Sequence, residues 1–295
     1  MRIELICLDG CWCKFFIQGN LIAALLSLAV VTAVPKAALS IEANEGLEEH
    51  IVTAPLPRGA EIRGLVSKRI GSTPDRIALL FVGSPGLLHL RDENGTPNFD
   101  VKGNFLARAR RHLNDDSVMT VLVDCPTDEW DGCDATYRRS AQYAEDITAL
   151  ISALLKELGP KPVYVVGTSF GTVSSANLAR RLGSSLAGAV HTATFAGTSQ
   201  HAFESGMSGF DWEQATVPQV FVHHIGDPCP VTPYREIKSS IGGLPLMSVR
   251  GASDTSGPAC QAFSEHGFRG REEAVMRAIA AWITHGTVTP LVGEP

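Results

Sequence analysis

The sequence predicts one mainly parallel α/β sheet flanked by helices, and three observations carry that reading. Short apolar runs alternate with helical segments through most of the 295 residues, the order that a parallel sheet with crossover helices requires. Arg76-Ile77-Ala78-Leu79-Leu80-Phe81-Val82 and Val118-Met119-Thr120-Val121-Leu122-Val123 are almost continuously apolar, as strands buried on both faces are. Finally, Gly167-Thr168-Ser169-Phe170-Gly171 follows the apolar run Val163-Tyr164-Val165-Val166 and leads into helical sequence over 172–179. A strand, a sharp turn and a helix lift a serine hydroxyl above the sheet, and the flanking glycines leave room for the tight passage.

Taken in order, 50–53 and 61–66 are β-rich and suit an antiparallel edge hairpin. The first buried strand, 76–82, ends in the turn cluster Gly83-Ser84-Pro85-Gly86. The stretch 87–104 is polar and reads as loop, 105–113 as helix and 118–123 as the next buried strand. Ile147, Leu150, Ile151, Leu154, Leu155 and Leu158 fall on one helical face before Gly159-Pro160 stops the helix. Further strands are expected at 186–196, 217–225 and 244–249. A helix is expected at 232–240, with Thr232 as its cap and Pro233 in its first turn. The last helix, 272–283, places Val275, Ile279 and Trp282 on one face.

With 44% apolar and 19% charged side chains, the chain can build one sizeable core. Its net charge of -6 is spread without a basic run, which sets aside a nucleic-acid surface. Residues 21–34 form an uncharged apolar run followed by Pro35-Lys36-Ala37-Ala38-Leu39-Ser40. That run is too short for a comfortable membrane span and ends in small residues, so 1–40 read as a secretory signal. This leaves a domain at 41–295 without a stable membrane span, expected to be exported, periplasmic or secreted. Of seven cysteines, Cys7, Cys11 and Cys13 would leave with the signal. Cys125, Cys133, Cys229 and Cys260 remain, an even set that points to disulfides and allows three pairings.

A serine hydroxyl is a weak nucleophile and needs a base beside it and N–H donors aimed at the oxyanion. In a parallel sheet those groups belong on loops leaving the carboxyl ends of strands. His266, in the loop between the last strand and last helix, is the expected base; His223 and His224 lie inside a strand, and His285 follows the final helix. Asp227, one glycine after Val220-Phe221-Val222-His223-His224-Ile225, is the expected acid, with Asp254 its competitor and Asp211 more remote. The oxyanion donors are expected to be the N–H groups of Phe170 and Ser84, because Pro85 has none. Neither a metal cluster nor a nucleotide motif is evident, so no cofactor is expected.

On these residues the chain resembles an α/β-hydrolase-fold serine hydrolase. Gly167-Thr168-Ser169-Phe170-Gly171 matches the nucleophile elbow, and Asp227 and His266 follow in the family order. Val82-Gly83-Ser84-Pro85-Gly86 is similar to the His-Gly-Gly-Pro-Gly oxyanion turn, departing from it at Val82 and Ser84. Val222-His223-His224 leading to Asp227-Pro228-Cys229, and Ser264-Glu265-His266-Gly267-Phe268, resemble a little-characterised exported bacterial branch of the fold. A Cys229–Cys260 disulfide would then tie the acid loop to the histidine loop, and Cys125–Cys133 would close a small loop beside the site. The resemblance implies acyl transfer on a small-molecule ester, or on an amide as in proline-releasing peptidases, whose turn 83–86 resembles. A catalytically silent binding protein is the third reading. The short span between the strand after the elbow helix and the next strand implies a minimal lid or none.

Overall fold

The structure, a computed structural model, describes residues 44–195, 200 and 204–293. The signal-like segment 1–40, with Cys7, Cys11 and Cys13, lies outside the described residues. The described strands form a nine-stranded sheet and a separate two-stranded hairpin. The hairpin is β4 (Arg91–Glu93) with β5 (Thr96–Asn98). The sheet holds β1 (Leu47–Pro55), β2 (Glu61–Arg69), β3 (Arg76–Phe81), β6 (Val118–Val123) and β7 (Val163–Thr168). It continues through β8 (Gly188–Thr192), β9 (Gln219–His224), β10 (Leu246–Val249) and β11 (Leu291–Val292). Their spatial order is β1-β2-β6-β3-β7-β8-β9-β10-β11. β1 pairs antiparallel with β2 and β2 with β6, and every other pairing is parallel.

The parallel strands therefore present all their carboxyl ends on one edge, and β3 lies between β6 and β7. Chains leaving β3 and β7 pass there to the helices Phe105–Leu113 and Gly171–Leu182 on opposite faces of the sheet, the switch point at which sites of α/β sheets form.

Alternation along each strand sorts the core into two layers. Ala78 and Leu80 of β3, Leu122 of β6, Val166 of β7 and Val220 and Val222 of β9 face one side. There they meet α1 (Phe105–Leu113) and α6 (Glu272–His285) through Leu106, Val275 and Ile279. Ile77, Leu79, Val121 and Val165 face the other side, against Ile147, Leu150 and Leu154 of α3 (Ala141–Leu158) and Leu178 of α4 (Gly171–Leu182). α2 (Ala135–Arg138) is a single turn in the loop after β6, and α5 (Tyr234–Ser240) packs with α4 through Ile237.

Three sequence expectations change. The stretch 87–104 is not all loop, since β4 and β5 pair around Asn94 and Gly95, both at positive φ, the Asn-Gly signature of a tight hairpin. Thr232 does not cap α5: Pro233 is its N-cap residue and makes no side-chain capping bond. The strand expected at 186–196 is Gly188–Thr192; Ala196 lies outside the described residues. Between β8 and β9, Met207 and Trp212 are buried, and Trp212 stacks edge-on against Phe221 of β9 at 4.9 Å between centroids. The described part of this connection is thus fastened to the sheet, and among the described residues no lid domain stands over the edge.

Candidate active site

Ser169 follows β7 directly and has φ +52°, a left-handed conformation that costs a non-glycine residue about 1–3 kcal/mol. Its neighbours hold it there. The Ser169 N–H donates to Thr192 O at 3.0 Å, and Ser169 O accepts from Thr172 N at 2.9 Å and Thr172 Oγ1 at 2.6 Å. Close approach explains the two glycines. A Cβ at Gly171 would lie 2.0 Å from Phe81 O, and one at Gly167 would lie 2.4 Å from Ser175 Oγ. The helix after the serine can therefore press on the end of β3, which brings the turn 83–86 beside Ser169. A Cβ at Gly83 would stand 3.3 Å from both Ser169 Cβ and Asn104 Nδ2.

Asp227 and His266 come together across 39 residues of chain, with His266 Nδ1 3.1 Å from Asp227 Oδ2. The Asp227 side chain has no exposed surface and that of His266 is 5% exposed. Burial pushes the Asp227 carboxyl up. The His266 hydrogen bond and charge pull it down, helped by His223 and the Cys229 N–H, and the balance lies below the usual carboxylate range. Cys229 N donates to Asp227 Oδ1 at 2.9 Å and Thr232 Oγ1 donates to Asp227 Oδ2 at 2.9 Å. Thr232 Oγ1 also lies 3.1 Å from His266 Nδ1. The residue expected to cap a helix is thus hydrogen-bonded to both Asp227 and His266. Asp254 instead sits in an exposed loop, at φ +53°.

The loop carrying His266 is anchored to α1 through Arg108. Arg108 Nη2 donates to Gly267 O at 2.7 Å and, at 2.9 Å, to Glu272 Oε1. Cys229 and Cys260 form a disulfide with a Cα–Cα distance of 4.6 Å, so the loops carrying Asp227 and His266 are covalently joined. Cys125 and Cys133 form the second, with Cα atoms 6.3 Å apart. Among the described residues no hydrogen bond joins Ser169 Oγ to the His266 ring, and neither the Ser84 nor the Phe170 N–H has a partner.

His223 is fully buried, and burial lowers its pKa to about 4 against the opposing pull of Asp227. It stays neutral at pH 7, and its ring Nδ1 lies 3.5 Å from His224 O. His224 is occupied by Gly251 O at 3.0 Å. Two groups escaped the sequence reading because only the fold assembles their partners. Asp124, at the end of β6, accepts from Leu88 N at 2.8 Å, Leu90 N at 2.7 Å and Cys125 N at 2.9 Å, which fixes the chain leaving the turn 83–86. Burial pushes its carboxyl above the usual range. Arg138 is buried between that turn and the elbow.

No family model and no curated protein matches the chain. Solved structures do. Dienelactone hydrolase from Anabaena variabilis is 15% identical with a TM-score of 0.53, over 81% of this chain and 98% of that one. An α-β serine hydrolase homologue from Coxiella burnetii is 15% identical with a TM-score of 0.50, over 79% and 95%. The esterase domain of a Rhodothermus marinus protein is 12% identical with a TM-score of 0.51, over 80% and 97%. Identities this low establish a common fold, and the near-complete cover of each neighbour shows that the whole fold is shared.

Proposed function

The chain has the α/β-hydrolase fold, and from that premise we propose that it is a serine hydrolase cleaving carboxylic esters through Ser169, His266 and Asp227. The observation that carries the proposal is the buried Asp227–His266 hydrogen bond, formed on the same sheet edge as a serine held at positive φ. With Nδ1 turned to Asp227, Nε2 is the nitrogen left to take the serine proton. Ser169 Oγ attacks the ester carbonyl as that proton moves to His266, and the oxyanion is received by the Ser84 and Phe170 N–H groups. Collapse breaks the bond to the alkoxy oxygen, which leaves with the proton from His266. Water then repeats the sequence on the acyl-enzyme and releases the acid.

The fastened connection between β8 and β9 favours accessible small esters over substrates that need a mobile cover. Two disulfides support export, and among the described residues no helix is long and apolar enough to cross a membrane. The neighbours named as an esterase and a dienelactone hydrolase fit the same class of chemistry.

The test is a fluorophosphonate probe with parallel panels of simple esters and aminoacyl amides. The purified protein is expected to label at Ser169 and to turn over esters faster than amides. Ser169→Ala is expected to lose the label and at least about 10⁴-fold in kcat while keeping its fold. Faster amide turnover would move the assignment to a peptidase or amidase. No labelling and no turnover would leave the silent binding protein.

A further inference from the structure

Arg138 ends α2 and is 2% exposed. A buried guanidinium is costly unless its donors are satisfied, and among the described residues no carboxylate lies within ion-pair distance of it. Its partners are neutral. Nε donates to Cys133 O at 3.0 Å, Nη1 to Ser174 Oγ at 2.9 Å, and Nη2 to Gly86 O at 3.0 Å, with Cys125 Sγ 3.3 Å from Nη2. The guanidinium carbon stands 4.9 Å from the centroid of the Phe170 ring. Burial lowers its pKa, but arginine starts so high that it keeps its charge at neutral pH.

These contacts have a common geometry. Gly86 closes the turn that carries the Ser84 N–H, and Phe170 carries the other N–H proposed for the oxyanion. Ser174 lies in the first turn of α4, and its hydroxyl is fixed in turn by Tyr143 Oη at 2.9 Å. One planar cation therefore spans both walls of the proposed oxyanion hole. A larger residue at Gly86, where φ is +77° and a Cβ would lie 2.3 Å from Arg138 Nη2, would be strained and would push the guanidinium out of place. A lysine cannot reproduce the grip, because one ammonium group cannot reach Gly86 O, Ser174 Oγ and Cys133 O in the plane that stacks on Phe170.

We propose that Arg138 is a positioning residue that sets the spacing of the Ser84 and Phe170 N–H groups, and that the Cys125–Cys133 disulfide holds it in place. The proposal rests on the acyl-transfer reading of Ser169. It predicts damage confined to the state in which an oxyanion exists, which simple loosening of the fold would not produce.

The experiment compares wild type, Arg138→Lys and Arg138→Met for ester kcat and KM, for inhibition by an alkyl boronic acid that forms a tetrahedral adduct on the serine, and for Tm. In a folded variant kcat is expected to fall about 10- to 100-fold, less than the roughly 10²- to 10³-fold loss on deleting an oxyanion donor, because both N–H groups remain and only their spacing changes. KM is expected to stay within about two-fold, and boronate affinity to fall by the same factor as kcat. Unchanged kcat and boronate affinity in either folded variant overturns the role, as does a kcat loss without loss of boronate affinity. Should neither variant fold, Phe170→Leu carries the test, since it removes the stacked ring and leaves the Arg138 hydrogen bonds. Wild-type values in Phe170→Leu then overturn the role. An active wild type with unaffected variants rejects Arg138 alone. A wild type that neither hydrolyses esters nor takes the fluorophosphonate rejects the reading of the site and this role with it.

Discussion

Asp227 accepts from Cys229 N and Thr232 Oγ1 while its carboxylate faces His266, so its position is held from three sides and its charge faces the imidazole. Asp227→Asn keeps the shape and removes the charge. Its kcat on an ester is expected to fall about 10⁴-fold, because the imidazole loses both its fixed tautomer and the stabilisation of its protonated form. Steady-state kinetics on folded variant checks this; a loss below ten-fold would speak against the acid assignment. The turn carrying Ser169 was legible in the sequence because each of its requirements is local: a strand before it, a helix after it and two glycines. The meeting of Asp227 and His266 was legible at one remove, from their places after strand ends. Thr232 and Arg138 were not. A threonine before a proline looks like a cap, and the partners of Arg138 at Cys125, Gly86 and Ser174 lie 13, 52 and 36 residues away in sequence, beyond the reach of any local pattern.

Between elements, the close contact that sets the site is α4 on the end of β3. Gly171→Ala places a methyl 2.0 Å from Phe81 O and 2.8 Å from Val82 O, and backbone cannot swing aside as a side chain can. Overpacking of this kind is expected to cost about 3 kcal/mol or more, read as a lower urea midpoint, and to displace the turn 83–86 with a loss of kcat. The order of strands and helices was readable because apolar runs of this length have no other stable home than a covered sheet. The β4–β5 hairpin escaped notice for the opposite reason: its strands are three residues each, carry Asp92, Glu93 and Pro97, and pair only with each other. There is no apolar alternation to see, and the turn residues alone mark it.

At the scale of the molecule, two layers of apolar side chains enclose the sheet, and polar groups inside them must stay neutral or be paired. His191 on β8 is fully buried between Ser175 Oγ at 2.8 Å and Gln219 Oε1 at 3.2 Å. Burial lowers its pKa to about 4, as it does for His223. Both values lie below the ordinary 6.5, so the unfolded chain binds protons more readily between the two. The stability tied to neutral histidine is complete above about pH 6.5 and is lost as pH falls toward about 4. Each is expected to contribute a slope on the order of 1 kcal/mol per pH unit in that window. Urea denaturation at pH 7.5 and pH 5 measures it, and equal stabilities would contradict the buried neutral pair. The Cys229–Cys260 bond has a different consequence at this scale. Residues 253–258 are exposed and lie between the two cysteines, in the kind of loop that proteases nick. A cut there severs the main chain between Asp227 and His266 but not the molecule, because the sulfur bridge still carries the covalent path. The site can thus outlast a broken backbone in surroundings where proteases are common, and a nicked protein would come apart there only after reduction.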